Sequence, residues 1–493
     1  MTQPPVKPSL DKDLEKIARL EGAASDLGRK FVAPAIATVF LLTAMGISSF
    51  FVTGDYGGGI MIAAAGIGAY LALNIGANDV ANNVGPAVGS KALSIVGALV
   101  IAAIFESAGA LIAGGDVVST ISKGIIDPAS VSNSDVFIRV MMAALISSAL
   151  WVNLATILGA PVSTTHAVVG GVMGGGIAAA GFASVDWNTM ASIAASWVIS
   201  PVLGGVIAAM FLAFIKLAII YQDDKITAAR RWVPLLIAIM SGAFAAYLST
   251  KGLKKIISIS LVEALLIGLA VFVASWVIVK PIIHRQSEGL ENRNQSLRKL
   301  FRGPLIFSAA LLSFAHGAND VANAIGPLAA IVHTIQAGVV EAKVAIPLWV
   351  MVIGAFGISF GLLLFGPKLI RMVGEKITKL NPMRAYCVAL SAAITVIVAS
   401  GLGLPVSSTH IAVGAIFGVG FFREWFTKNS KKRVEFVQKT TGKSTYKQDP
   451  SQKNRKLVRR SHFMTIIAAW IITVPAAAVL SGTVYWLLTL ILS

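Results

Sequence analysis

Charged side chains are scarce in this sequence. Only 13% of its 493 residues are Asp, Glu, Lys or Arg, and 56% are apolar. Soluble globular domains usually carry about 25% charged residues, and the mean hydropathy here is +0.79. The composition therefore predicts a polytopic membrane protein and excludes a soluble multidomain enzyme.

Cysteine is almost absent as well. The single one, Cys387, excludes an internal disulfide framework and any metal site built from several cysteines. The sequence also lacks a glycine-rich nucleotide-binding motif, a metal-ligand cluster and a polar segment long enough to form a catalytic domain. We therefore predict a protein that is not an enzyme and that uses no cofactor, apart from a coupling ion.

Acidic residues are outnumbered, with 23 Asp plus Glu against 41 Lys plus Arg. Nucleic acid is one possible partner of a basic protein, but here the basic residues flank apolar runs, as the positive-inside rule describes. We therefore predict no nucleic-acid partner, a location in the cell (inner) membrane, and a cytoplasmic N-terminus. The basic segments 1–31, 281–303 and 422–462 then lie inside, whereas the lysines at 251, 254 and 255 do not fit this scheme.

Eleven apolar runs are each long enough to suggest a membrane span, so the sequence predicts an all-α protein with about 11–12 spans. They are residues 32–52, 58–76, 92–113, 136–158, 189–219, 233–249, 256–280, 304–317, 345–366, 383–403 and 463–492. Two runs are too long for one straight crossing and contain Pro201 and Pro475, which predict a kink or a break.

One polar motif occurs twice, as Gly76-Ala-Asn-Asp-Val-Ala-Asn-Asn-Val-Gly-Pro86 and, with nine of eleven positions identical, at 317–327. A carboxylate and two amides inside a span are costly and usually mark a substrate or ion path. The alternative is that these residues only join neighbouring helices by hydrogen bonds, but two near-identical copies argue against it. The Gly-Pro pair that ends each copy predicts a broken helix.

A second motif also occurs twice, as Gly159-Ala-Pro-Val-Ser-Thr-Thr-His166 and Gly403-Leu-Pro-Val-Ser-Ser-Thr-His410. Proline near a helix start and Ser or Thr as its cap predict two re-entrant half-helices. Hydroxyls bonded to their own backbone are the alternative interpretation. For His166 and His410 we predict local hydrogen bonding at a turn in preference to proton transfer.

The landmarks recur in the same order, and loop charge places the entry to the two copies on opposite sides of the membrane, which predicts an inverted repeat. The predicted organisation is a polar tail (1–31), an extra helix (32–57), a first repeat (58–220), two linking spans with a loop (221–303), and a second repeat (304–493). The second repeat includes the basic loop 422–462, which we interpret as a disordered or regulatory segment.

The motif chemistry suggests two kinds of ligand. Carboxylate and amide oxygens suit a hard cation such as Na⁺, and we assign them to Asp79, Asn82, Asp320 and Asn323. Hydroxyls beside free N–H groups at half-helix N-termini suit a small tetrahedral oxyanion. This set is Ser163, Thr164, Thr165, Ser407, Ser408 and Thr409, with Asn78 and Asn319 added. Glu106, in the middle of a span, is a further candidate for coupling.

These motifs, together with Ser119-Thr-Ile-Ser-Lys-Gly124, resemble the inorganic phosphate transporter family of sodium- or proton-coupled phosphate permeases. The resemblance covers about 58–220 and 304–490. It implies an inverted-repeat fold, phosphate as substrate, symport with Na⁺ or H⁺, cation ligands at the Asn-Asp motifs, phosphate ligands at the Ser/Thr clusters, and a homodimer in the lipid bilayer. Animal members carry a second glutamate where this chain has Ala389. A sulfate permease of the same fold and a phosphate-selective channel or sensor stay open as alternatives.

Overall fold

The computed structural model describes residues 31–52, 57–127, 130–131, 133–158, 162–252, 257–340, 346–376, 380–441 and 460–492. Within these ranges the chain is built from helices, and an isolated bridge between Ile126 and Val185 is the only β-type pairing. Residues 1–30, which make up almost all of the predicted polar tail, lie outside the described residues.

The helices of the first half are α1 Phe31–Ser49, α2 Gly58–Gly89, α3 Ile95–Ala113, α4 Gly115–Ser119, α5 Ser134–Leu158, α6 Thr164–Ala180 and α7 Trp187–Ile215. Two linking helices and a short one follow, α8 Lys225–Lys251, α9 Leu261–Ser287 and α10 Asn294–Leu300. The second half contains α11 Arg302–Ala337, α12 Leu348–Lys376, α13 Pro382–Gly401, α14 Ser408–Asn429, α15 Lys431–Thr441 and α16 Arg460–Leu492.

Eleven helices among the described residues are long and apolar enough to cross a membrane. They coincide with the eleven apolar runs of the sequence, because a span needs about 20 consecutive apolar residues and this requirement is local. The prediction of an all-α, multi-pass membrane protein is confirmed. The half-helices α6 and α14 come in addition to these spans.

The two helices that carry the Asn-Asp motif, α2 and α11, run antiparallel against each other. A Cβ atom built on Gly68 of α2 would lie 3.1 Å from Leu328 Cδ2 of α11. Further along α2, Asp79 Oδ2 lies 3.8 Å from Nε2 of His316, which is earlier in α11. Later positions in one helix thus meet earlier positions in the other, so the two copies of the motif point in opposite directions.

The two halves also exchange equivalent contacts. Gly76 of α2 packs so closely on α12 that a Cβ atom would overlap the carbonyl of Ile358. At the equivalent place Gly317 of α11 packs on α3, where a Cβ atom would overlap the carbonyl of Glu106. The half-helices repeat the pattern, since α6 packs on α16 and α14 packs on α7 through glycines in close backbone contact, as small residues permit in membranes.

The predicted breaks at the Gly-Pro pairs are wrong. Helix α2 continues through Pro86 to Gly89, and α11 continues through Pro327 to Ala337. Likewise α7 and α16 continue through Pro201 and Pro475 without a break. Proline removes one N–H donor, and a transmembrane helix tolerates this when neighbouring helices pack around it. An interruption occurs elsewhere, where α3 ends and α4 passes into a π-helical turn at Thr120–Gly124.

Part of the basic segment 422–462 is helical, whereas the sequence suggested a disordered or regulatory segment. Helix α14 continues to Asn429 and α15 follows, while residues 442–459 lie outside the described part of the chain. Aromatic rings of α14 explain the order, because the ring of Phe426 stacks on Tyr221 with centroids 5.7 Å apart. Helix α15 is further tied to the loop after α7 by Lys439, whose Nζ lies 2.7 Å from Asp223 Oδ2.

The lysine that contradicted the loop-charge scheme has a partner. Lys251, at the end of α8, forms an ion pair with Asp116 and also donates to the carbonyl of Gly401. Its charge is therefore compensated within the protein, which weakens it as a signal of membrane orientation. Lys254 and Lys255 lie outside the described residues.

Candidate functional site

Asp79 is held by hydroxyls from both half-helices. Thr164 of α6 donates to Asp79 Oδ2 at 3.2 Å, and Thr409 of α14 donates to Oδ1 at 2.9 Å. Asn82, one turn further along α2, donates to the same Thr409 hydroxyl at 2.8 Å. Asp79 is 1% exposed, so this carboxylate is buried with only protein groups around it.

Asp320 repeats this arrangement from the other half. Ser408 of α14 donates to Asp320 Oδ2 at 2.8 Å. The hydroxyl of Thr165 of α6 donates to the carbonyl of Val406 at 3.0 Å and lies 3.5 Å from Asp320 Oδ1. The amide of Asn323 donates to Oδ1 and to the Thr165 hydroxyl at 3.2 Å and 3.1 Å. Each aspartate is thus contacted by one hydroxyl of its own repeat and one of the other repeat.

The half-helices begin inside the protein, as predicted. Ser163 and Ser407 cap α6 and α14, because each side-chain oxygen accepts the backbone N–H of the histidine three residues later, at 3.1 Å and 3.3 Å. The hydroxyls that follow the caps are thereby directed at the aspartates. The alternative, in which these Ser and Thr residues bond only to their own helices, holds for the two caps alone.

His316 is a member of the site that the sequence reasoning missed. Its Nε2 atom lies 2.8 Å from Asp320 Oδ2, and its Nδ1 atom lies 3.3 Å from Glu106 Oε2. With Asp79 and Asp320 it forms a cluster in which one possible ligand atom from each residue lies within 4.8 Å of the others. The available signal was the spacing, since a histidine four residues before an aspartate shares its helical face.

Glu106 lies beside this cluster and is fully buried. Asn83 donates to Glu106 Oε1 at 2.7 Å, and the other carboxylate oxygen faces His316. The second motif has Ala324 at the position of Asn83. The structure explains this difference, because Asn83 serves Glu106 and the second half has no buried glutamate at the equivalent place.

The contact between Glu106 and His316 has no polar equivalent in the reciprocal contact of the two halves. In the reciprocal contacts Ile358 of α12 occupies the place of Glu106, and the motif alignment puts Ile75 of α2 at the place of His316. The hydroxyls of Ser107 and Ser359, each one residue further on, lie 2.6 Å apart. The two halves therefore meet symmetrically at these serines, while the ionisable pair Glu106 and His316, one residue from each half, corresponds to the isoleucines Ile358 and Ile75.

Asn78 and Asn319 contact other partners than the hydroxyl clusters. Asn78 donates to Thr156 at 3.1 Å, and Asn319 donates to Ser400 at 3.0 Å. Thr156 and Ser400 each stand seven residues before the cap of a half-helix. The amides therefore tie each motif helix to the segment that leads into its half-helix.

Two amide oxygens near the aspartates remain available for a ligand. The side-chain oxygens of Asn319 and Asn323 are buried and accept no hydrogen bond from the described residues. An unsatisfied buried acceptor costs about 1–3 kcal/mol, and a bound cation would remove that cost. The donor set of carboxylate, amide and hydroxyl oxygens is the kind that hard cations prefer.

The histidines of the second motif pack against each other. The ring centroids of His166 and His410 are 4.7 Å apart, and that of His166 is 3.9 Å from the ring of Trp197. Trp197 in turn donates to the carbonyl of Pro405 at 3.0 Å, just before the second half-helix. These rings pack together at the starts of α6 and α14.

Comparison with known proteins agrees with this architecture. The sequence model described as the phosphate transporter family matches residues 75–481. This chain belongs to that family. It is therefore a membrane transporter and not an enzyme, and the resemblance noted from its motifs is confirmed.

Individual members of the phosphate transporter family match over most of their length. A Helicobacter pylori protein named "Putative phosphate permease" is 44% identical over 96% of this chain and 98% of its own. A Pyrococcus furiosus protein of the same description is 34% identical over 85% of this chain and 94% of its own. A solved structure, "The sodium-dependent phosphate transporter", is 35% identical with a TM-score of 0.76, and covers 88% of this chain and 99% of that one.

The third family-like motif, Ser119–Gly124, also reaches the site. It forms the end of α4 and the π-helical turn, and Thr120 donates to the carbonyl of Gly403 at 2.7 Å. Gly403 has a φ of 70° and lies in the turn that leads to α14. The motif of the first half thus positions the half-helix of the second half in this phosphate transporter.

Proposed function

We propose that this phosphate transporter moves inorganic phosphate across the cell membrane in symport with a cation, and that the cation is Na⁺. One observation carries the proposal. The hydroxyls at the starts of both half-helices contact both aspartates, so a cation at the carboxylates and an anion at the helix N-termini would share the same four hydroxyl groups.

The shared hydroxyls supply a mechanism of coupling. A hydroxyl offers one donor hydrogen and two acceptor lone pairs. Without a cation, the hydrogens of Thr164, Thr409 and Ser408 are directed at carboxylate oxygens. A cation held by Asp79 and Asp320 would take hydroxyl lone pairs and leave the hydrogens free to turn towards phosphate. Cation binding would thereby create the donors that the anion needs.

The charge balance also requires that cations bind before phosphate. Neither second motif contains lysine or arginine, so the phosphate charge must be offset by helix N-termini and bound cations. Helices α6 and α14, of 17 and 22 residues, both begin at the site and direct their free N–H groups into it. Without cations, two buried aspartates beside the anion would repel it.

Glu106 is proposed to act through His316. Its Oε2 atom lies beside Nδ1 of the imidazole, whereas Asp320 lies beside Nε2, and Asn83 donates to the other carboxylate oxygen of Glu106. Glu106 would therefore hold His316 in place beside both aspartates. Since its counterpart in the other half is an isoleucine, it would make the two cation sites unequal.

The topology of the proposed carrier is an inverted repeat with the N-terminus in the cytoplasm. Support comes from the antiparallel course of α2 and α11 and from the reciprocal packing of the two halves. Phosphate would sit between the half-helices near the middle of the membrane, where inverted repeats usually form their substrate site.

Uptake of labelled phosphate into proteoliposomes tests the proposal. Gradients of Na⁺ and of pH are imposed separately, with sulfate as competitor. We expect accumulation against the phosphate gradient only with inward Na⁺, and little competition by sulfate. Accumulation with a pH gradient alone would assign the coupling to H⁺. Flux only down the phosphate gradient without any cation requirement would indicate a channel and overturn the symport mechanism.

A further inference from the structure

Five cationic side chains line one cavity of about 410 Å³. They are Lys91, Arg298, Lys299, Arg302 and Arg384. They come from four places in the chain, namely the turn after α2, helix α10, and the first turns of α11 and α13. No carboxylate is among the described residues that line the cavity. Like charges gathered in a concave site repel each other, and a bound anion removes that repulsion.

This basic cavity is separate from the aspartate site. Gly89 also lines it and stands ten residues after Asp79 on the same helix. At a rise of about 1.5 Å per residue the two sites are about 15 Å apart along α2. The cavity lies on the side of the protein that carries the basic loop 281–303.

Lys91 has a backbone conformation that lysine does not favour. Its φ is 61°, and it is the only residue other than glycine with positive φ in the described part of the chain. It lies in the turn that ends α2, where the N–H of Lys91 donates to Val88 and that of Ala92 to Ala87, both at 2.9 Å. Glycine is the usual residue at this position of such a turn, and α11 does end on one, Gly338, with a φ of 71°.

The lysine is therefore placed where the local fold would prefer glycine, and its side chain extends into a cavity of four other cations. Arg302 reinforces this arrangement, because its Nη2 atom donates to the carbonyl of Lys91 at 2.9 Å. The N-terminus of the 20-residue helix α13, capped by Asn381, opens on the same cavity and adds a partial positive charge.

We propose that this cavity binds anions that carry phosphate groups, at a site separate from the aspartate site. Three guanidinium groups and two ammonium groups match phosphate oxygens in charge and in hydrogen-bond geometry. The phosphate groups can come from a soluble anion or from the headgroup of an anionic phospholipid. The proposal does not depend on Na⁺ symport, since none of its residues touches the aspartate site.

Titration of the full-length protein with pyrophosphate tests the proposal. The protein is placed in phosphatidylcholine nanodiscs in a potassium buffer without Na⁺. We expect saturable binding that Lys91→Gly weakens about tenfold or more, the effect of losing one charge-assisted hydrogen bond. Because glycine suits the turn, Lys91→Gly should unfold at the same or a higher temperature than the wild type. The matched control Lys280→Gln removes a positive charge near the same loop but outside the cavity, and should bind as the wild type does.

Two further measurements separate the sources and the sites. Native mass spectrometry of protein extracted from vesicles with phosphatidylglycerol would show retained lipid that Lys91→Gly loses, if the headgroup is the source. Asp79→Asn should leave pyrophosphate binding unchanged. The proposal is overturned if Lys91→Gly changes neither pyrophosphate binding nor lipid retention. It is also overturned if Lys280→Gln weakens pyrophosphate binding equally, or if Asp79→Asn abolishes that binding.

Discussion

Replacing Thr409 by valine should weaken the apparent affinity for Na⁺ and for phosphate together. The hydroxyl of Thr409 donates to Asp79 at 2.9 Å and accepts from Asn82 at 2.8 Å, so it links a carboxylate of one repeat to a half-helix of the other. Valine preserves the shape of the side chain but removes both hydrogen bonds. If the hydroxyl serves cation and anion in turn, both ligands must lose a contact.

The expected magnitude follows from the bond to the carboxylate. A hydrogen bond to a charged group contributes about 1.5–3 kcal/mol, and the half-buried amide of Asn82 loses its partner as well. At about 1.4 kcal/mol per tenfold change, the apparent affinity for Na⁺ should fall roughly 10- to 100-fold. The apparent phosphate affinity measured at subsaturating Na⁺ should fall by at least as much.

Phosphate uptake into proteoliposomes, measured over a matrix of Na⁺ and phosphate concentrations, gives both affinities. Thr395→Val is the matched control, because this threonine is equally buried but donates only to the carbonyl of Ser391 in its own helix. Its uptake should resemble that of the wild type. The shared-hydroxyl mechanism is wrong if Thr409→Val leaves the Na⁺ dependence unchanged, or if Thr395→Val alters it to the same extent.

Three further predictions concern charge, packing and the basic segment. Asp79→Asn and Asp320→Asn should each abolish Na⁺-dependent uptake while the protein still inserts, because the volume is kept and the charge that holds the cation is lost; normal uptake in both would make these residues structural. Gly317→Ala should lower the unfolding temperature in detergent, because a Cβ atom would overlap the backbone of α3. Gly303→Ala is the control and should not lower it, because the space around Gly303 is open. Deleting residues 442–458 should leave uptake intact, because α15 and the other described helices lie outside the deletion, and loss of uptake by correctly inserted protein would contradict this.

The unequal halves have a consequence for transport. The four hydroxyls and two aspartates are arranged symmetrically, but Glu106, Asn83 and His316 have no polar counterparts. His316 Nε2 lies 2.8 Å from Asp320 Oδ2 but 3.8 Å from Asp79 Oδ2. The two aspartates therefore differ in electrostatic environment, and the loss of either should have a different effect on the Na⁺ dependence of any residual transport.

The membrane spans, the duplicated motifs and the two half-helices could all be predicted from the sequence, because each depends on residues that are neighbours in the chain. Apolar length defines a span, and proline followed by serine defines the start of α6 and of α14. The same local reasoning failed at Pro86 and Pro327. Whether proline breaks a helix depends on what packs around it, and α12 and α3 pack closely on these helices.

The composition of the site was decided by the tertiary structure. Thr409 meets Asp79 across 330 positions of sequence, and Glu106 meets Asn83 and His316 from a third helix. No periodicity encodes such contacts, since they arise from the packing of helices that are far apart in the chain. For the same reason the five cations of the basic cavity, spread from Lys91 to Arg384, become one surface only when α2, α10, α11 and α13 end side by side.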